Sequence, residues 1–141
     1  MTKIIKSLIV MLGLVVTPVA FSKPVSESPK VTTIQNGVVF SVQVLNGEDE
    51  KIAIKVKPVI DLNAEKQPNS AEIEEMLNSL AEQIKKFAKN EYTFRPREAS
   101  FEQMGRSVMV TLKYTSQNSY GADVVGDETQ NFVLRDDGKF H

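Results

Sequence analysis

The sequence predicts an α+β domain, a curved antiparallel sheet of four to six strands with one amphipathic helix packed across it. Three observations lead there. Residues 38–45 (VVFSVQVL) and 51–60 (KIAIKVKPVI) alternate apolar with polar residues on either side of a turn sequence. From Ile73 to Phe87, apolar residues recur at spacings of three and four. Residues 107–115 (SVMVTLKYT) alternate again and are followed by a returning segment. The order reads β-β-α-β-β, with room for extra short strands. One apolar helix face needs one apolar sheet face to cover.

In the first strand Val38, Phe40, Val42 and Val44 share one face, as expected of a half-buried strand. Asn46-Gly47 then marks a hairpin turn, because Asn and Gly accept positive φ. The second strand places Ile52, Ile54 and Val56 inward. Pro58 cannot donate a ladder bond, so this strand is expected at an edge or to end there. A second turn signal, Asn36-Gly37, would fold residues 31–35 back as a short extra strand.

The helix carries Ile73, Met76, Leu77, Leu80, Ile84 and Phe87 on one face. Asn69 with Glu72, or alternatively Ser70, caps its start, and Asn90 is a plausible stop. Acids at the start and lysines at the end suit the helix dipole. Residues 92–101 (YTFRPREASF) read as a short strand interrupted at Pro96. Beyond the third alternating run, Gly126 reads as a bulge in the returning strand, residues 123–134.

Upstream of the domain, Lys3 and Lys6 precede a ten-residue apolar stretch, Pro18 breaks it, and Ala20-Phe21-Ser22 supplies small residues. This reads as a secretory signal, residues 1–22, cut after Ser22. The apolar stretch is short for a bilayer span, so no stable membrane anchor is expected after cleavage. Residues 23–32, with two prolines and two serines, read as a flexible linker. The single domain then covers 33–137, with 138–141 as a tail. The expected destination is the periplasm or the medium.

Composition narrows the function. Lys plus Arg number 17 and Asp plus Glu 18, and the leader removes two lysines and no acid. That balance argues against nucleic acid, whose affinity comes from clustered cations. There is no cysteine, and the one histidine is His141. Thiol nucleophiles, His-based triads and Cys/His metal sites are therefore not expected. Asp136-Asp137-Gly138 is too short a pattern for a calcium loop, and no Gly-rich phosphate loop occurs. Neither cofactor nor metal is expected.

Two short features remain. Arg95-Pro96-Arg97 could grip a carboxylate or phosphate with two guanidiniums on a stiff loop, or pair with Glu98 and Glu102. Tyr114 and Tyr120 flank a polar turn centred on Asn118. They fit either a recognition tip or cross-strand packing that pins the hairpin register. Residues 114–121 (YTSQNSYG), with Phe94-Arg95-Pro96 before them, resemble a hairpin pattern of small exported bacterial proteins of uncharacterised function. That resemblance implies an envelope or secreted setting and brings no activity.

The expected function is a non-enzymatic exported binding module of the bacterial envelope, using Arg95, Arg97, Tyr114, Asn118 and Tyr120 against another envelope or secreted protein. The first alternative is an assembly protein that uses a sheet edge. The second is a carboxylate-dependent hydrolase drawing on Glu98, Glu102, Asp123, Asp127 and Glu128.

Overall fold

A computed structural model describes residues 31–141. The signal with its cut after Ser22, and the linker as far as residue 30, lie outside the described residues. The chain runs β1 (Phe40–Leu45), β2 (Lys51–Val59), α1 (Ser70–Phe87), a 3₁₀ turn (Glu91–Thr93), β3 (Arg95–Met104), β4 (Ser107–Gln117) and β5 (Asp123–Val133). The strands form one open sheet in the order β1-β2-β3-β4-β5. Among the described residues there is one α-helix, and no helix is long and apolar enough to cross a membrane.

The α+β class stands, but the sheet is mixed rather than antiparallel throughout. β2 and β3 pair in parallel, from Lys55↔Glu98 to Val59↔Glu102, while the other three pairs are antiparallel. The cause is the helix. A strand followed by a returning helix re-enters the sheet in its original direction. The order is accordingly β-β-α-β-β-β.

β3 accounts for the extra full strand. Pro96 does not interrupt it, because a register shift lies between Pro96 and Glu98 and leaves Arg97 as the additional residue. Pro58 likewise neither ends β2 nor marks an edge. Its carbonyl accepts from Gly37 N at 3.1 Å. A strand residue directs its N–H and C=O to the same side, so the missing donor faces the stretch just before β1, where the ladder has already ended. Asn36 Oδ1 accepts from Ile60 N at 2.9 Å and completes that closure. No strand forms at 31–35. Gly126 is no bulge, since the β4–β5 register runs unshifted from Ser107↔Val133 to Gln117↔Asp123.

The expected helix cap is present. Asn69 Oδ1 accepts from Glu72 N at 2.9 Å, and Glu72 Oε1 accepts from Asn69 N at 3.1 Å. α1 ends at Phe87, before Asn90. Ile73, Leu77, Leu80 and Ile84 bury themselves against Val44, Val56, Phe101, Val110 and Leu112 on the helix side of the sheet. Phe87 does not join them: it lies past that cover and is 87% exposed. Among the described residues, no element covers the other sheet face, where Gln43, Lys55, Glu98 and Lys113 are exposed.

The tail folds back on β5. Leu134 bridges to Phe140, Val133 N donates to His141 O at 2.8 Å, and His141 N returns to Val133 O at 3.0 Å. Phe140 packs against the core, with the Lys66 ammonium 5.5 Å from its ring centre.

The β1–β2 turn is where several elements meet. The positive φ falls at Asp49 (62°), not at Asn46 or Gly47. Asn46, only 2% exposed, accepts on Oδ1 from Glu48 N and Glu50 N. Its carbonyl accepts from Lys85 Nζ at 3.2 Å. Gly47 N donates to Phe94 O at 2.9 Å. Glycine is required at 47 by close approach, because a Cβ there would fall inside the contact distance of Glu91 O and about 2.7 Å from Tyr92 C. Lys85, 7% exposed, also pairs with Glu82 at 2.7 Å and Asp49 at 3.4 Å. Burial pulls the Lys85 pKa down, yet Glu82 and Asp49 together outweigh it and hold it above 10.5.

Gly47→Ala is expected to lower unfolding free energy by about 3 kcal/mol in urea melts, since neither neighbouring backbone can move freely. Gly105→Ala, with φ 59° but open space around it, should cost only about 1 kcal/mol. Lys85 contributes stability that is fully present below its unfolded-state pKa and lost as pH rises through its higher folded-state value. The stability gap between wild type and Lys85→Met should therefore stay level from pH 7 to 9 and shrink above 10.5 in melts taken across that range.

Candidate functional site

The β4–β5 hairpin carries most of the residues singled out above. β3 follows β4 only as far as Arg95↔Thr115, whereas β4 and β5 stay paired to Gln117↔Asp123. The hairpin therefore projects past its neighbour by two residue pairs. Its turn end is tied by Thr93 Oγ1, which accepts from Gln117 N at 2.8 Å.

At the tip, Asn118 builds the turn. Its Oδ1 accepts from Tyr120 N at 2.9 Å and Ala122 N at 3.1 Å, and its own N donates to Ala122 O at 2.9 Å. Gly121, with φ 78°, supplies the left-handed residue. The side-chain oxygen of Asn118 is thus committed to the fold. Residues 46–50 make the same loop with Asn46 in the leading place. This arrangement presents Tyr120, which is 93% exposed.

Tyr114 lies elsewhere. It sits on the helix side of β4, half-buried, with its ring 5.5 Å from that of Phe94. Its strand partner is Gly126, and a Cβ at 126 would come within 2.7 Å of Tyr114 Cζ. The phenol ring therefore covers the glycine and fixes the hairpin register. Burial raises the Tyr114 pKa, with Glu128 and Asp127 adding to the effect.

Arg95 and Arg97 belong to the first turnless stretch of β3 rather than to a loop. Both are exposed. Arg97, the bulge residue, donates from Nε to Thr115 Oγ1 at 2.9 Å. The expected pairing with Glu98 does not form, since Glu98 instead meets Lys113 at 3.3 Å. Thr115 faces away from the helix, and Tyr114, its neighbour in β4, faces toward it. The five site residues are therefore divided among the open face (Arg95, Arg97), the helix side (Tyr114) and the tip (Asn118, Tyr120).

The structure decides a point that the sequence leaves open, whether the helix covers the whole sheet. A groove runs between α1 and β5. One stretch, about 390 Å³, is lined by Leu80, Ile84, Phe87, Tyr114 and Glu128 among others. A second stretch, about 510 Å³, continues past Met76, Ser79, Phe132 and Phe140. Gln83 Nε2 donates to Gln130 Oε1 at 3.1 Å across the junction.

The groove exists because α1 leans toward β1. Glu74 Oε2 accepts from Gln43 N, and Asn78 bonds Leu45 N and Gln43 O, each at 2.9 Å. The helix-side positions of β5 are Val124, Gly126, Glu128, Gln130 and Phe132, of which only Phe132 is buried. Their polarity was visible in the sequence and signalled that the helix does not cover this strand.

The acids invoked for hydrolysis are spread over both sides of the sheet. Glu98, Glu102, Asp123 and Asp127 lie on the open face, and only Glu128 lines the groove. Among the described residues no group of three His, Cys, Asp or Glu side chains could hold a metal ion.

The Tyr114 phenol is expected to titrate above 10.0, followed by ultraviolet absorbance. Glu128→Gln should move that titration back down, and an unchanged curve would contradict the charge contribution. In comparisons with known proteins, the chain matches no family model, no curated protein and no solved structure.

Proposed function

We propose that this domain is a non-enzymatic binding module working outside the cytoplasm of a bacterial cell, with another envelope or secreted protein as its partner. The carrying observation is that the large aromatic side chains exposed among the described residues, Tyr120, Phe87 and Tyr92, all lie at the hairpin end of the molecule. Tyr120 at the hairpin tip, Phe87 at the groove mouth, Tyr92 on the 3₁₀ turn, and Val124 and Val125 on β5 are all exposed. Aromatic side chains of this kind supply contact area at little entropic cost. The export setting rests on the leader-like residues 1–22 and on the resemblance of residues 114–121. Arg95 and Arg97 stand behind the hairpin on the open face and add charge beside the contact end.

A photo-reactive phenylalanine analogue placed at Tyr120 or Phe87 should capture one discrete second protein in intact cells. The same analogue at Met109, on the open face, should not. Equal capture from all three positions, or none from any, would remove support for this reading. Mass spectrometry of the analogue-bearing protein from the same cells should find its amino terminus at Lys23.

A further inference from the structure

The two edges of the sheet are treated differently. On β1 the outward N–H and C=O of Gln43 and the N–H of Leu45 are occupied by Glu74 and Asn78 from the helix. On β5 only one end is occupied, where Val133 exchanges two hydrogen bonds with His141. That pair shows which way β5 points its free groups. Val133 directs its N–H and C=O away from β4. With an unshifted register, Asn131, Thr129, Asp127, Val125 and Asp123 do the same. Among the described residues, none of these five has a partner for its outward backbone groups.

An unpaired row of this length is a template for another strand. Its charge says which kind. Asp123, Asp127 and Glu128 lie on β5, and residues 123–134 contain no Lys or Arg. Asp123 and Asp127 are four apart on the open face, with Val125, 76% exposed, between them. A second copy of the chain would bring an equally acidic edge against this one, and two of its registers place acid directly opposite acid. Two-fold antiparallel pairing centred on Asp127 sets Asp127 against itself, and pairing centred on Val125 sets Asp123 against Asp127. Like charges directly opposite one another oppose pairing.

We infer that the free edge of β5 docks an extended segment of a partner protein bearing two basic side chains four residues apart, with an apolar residue midway. The backbone forms an antiparallel ladder with residues 123–131. The basic pair meets Asp123 and Asp127, and the apolar residue covers Val125. This inference rests on the binding-module reading and specifies its partner.

The test uses the protein from residue 23 onward and an acetylated, amidated heptapeptide, Thr-Lys-Thr-Val-Thr-Lys-Thr, at millimolar concentration. Amide exchange followed by NMR should slow at least about tenfold at Val125, Asp127 and Thr129. A peptide with Glu in place of Lys should have no effect, and 0.5 M salt should weaken the Lys peptide. Val125→Pro removes one outward N–H that the fold does not use, so it should abolish protection while leaving the thermal melt in place; Thr129→Pro serves if the first variant does not fold. The proposal is overturned if neither peptide protects the edge, if both do equally, or if the proline variants still bind. Protection that grows with protein concentration without peptide would assign the edge to a second copy and also overturn it. Capture at Tyr120 together with peptide failure would leave the binding module standing and reject only this partner chemistry.

Discussion

The contact between Asn46-Gly47, Lys85 and the 3₁₀ turn holds the remaining structure in register. The first hairpin, the end of α1 and the entry to β3 meet there, although they are far apart in sequence. Gly47 donates to Phe94 O, Asn46 O receives the Lys85 ammonium, and the backbone of residues 91–92 fills the place a side chain at 47 would take. A buried ammonium is tolerated only because two carboxylates and a carbonyl surround it. Phe94, buried next to this junction, also touches Tyr114, which sets the register of the hairpin opposite. This aromatic pair adds a link between the β4–β5 hairpin and the first hairpin beside the one the sheet provides.

The placement of α1 follows from polar groups as much as from its apolar stripe. Glu74 and Asn78 draw the helix over the β1 edge. Five strands are wider than one helix can cover, so β5 is left with an open flank. The sequence of β5 is consistent with that position. Its helix-side residues are mostly polar or glycine, and Thr129 reaches Thr111 across the open face at 2.9 Å. Acidic residues on such an edge discourage pairing with a like copy, and the same acids favour a basic partner.

The hairpins, the helix, its capping box and most core positions were legible in local pattern, because period and cap chemistry depend on residues within one turn or one strand. Phe40, Val42, Val44, Ile52, Ile54 and Val56 face inward as their alternation required, whereas Val38 lies ahead of β1 and is exposed. β3 was harder to see. Its bulge at Arg97 breaks the alternation, leaving Pro96 and Ala99 buried with Arg97 and Glu98 exposed between them. The two-residue connection Gly105-Arg106, with φ 59° at Gly105, was the missed sign that a full strand precedes β4. Of the candidate site, the exposed tip at Tyr120 was legible. The division of Arg95, Arg97 and Tyr114 between opposite faces was not, because it depends on where the bulge falls.

The sequence by itself determined the α+β class, the positions of the strands in the two hairpins, the helix and its start, and the exposed turn at residues 118–122. These follow from interactions between near neighbours. Only the tertiary structure decided that β2 and β3 run parallel, that Gly47 is required by contact with a distant backbone, and that β5 keeps a free edge beside a groove. Each of those depends on which elements come to lie side by side, and the residues that bring them together are separated by tens of positions along the chain.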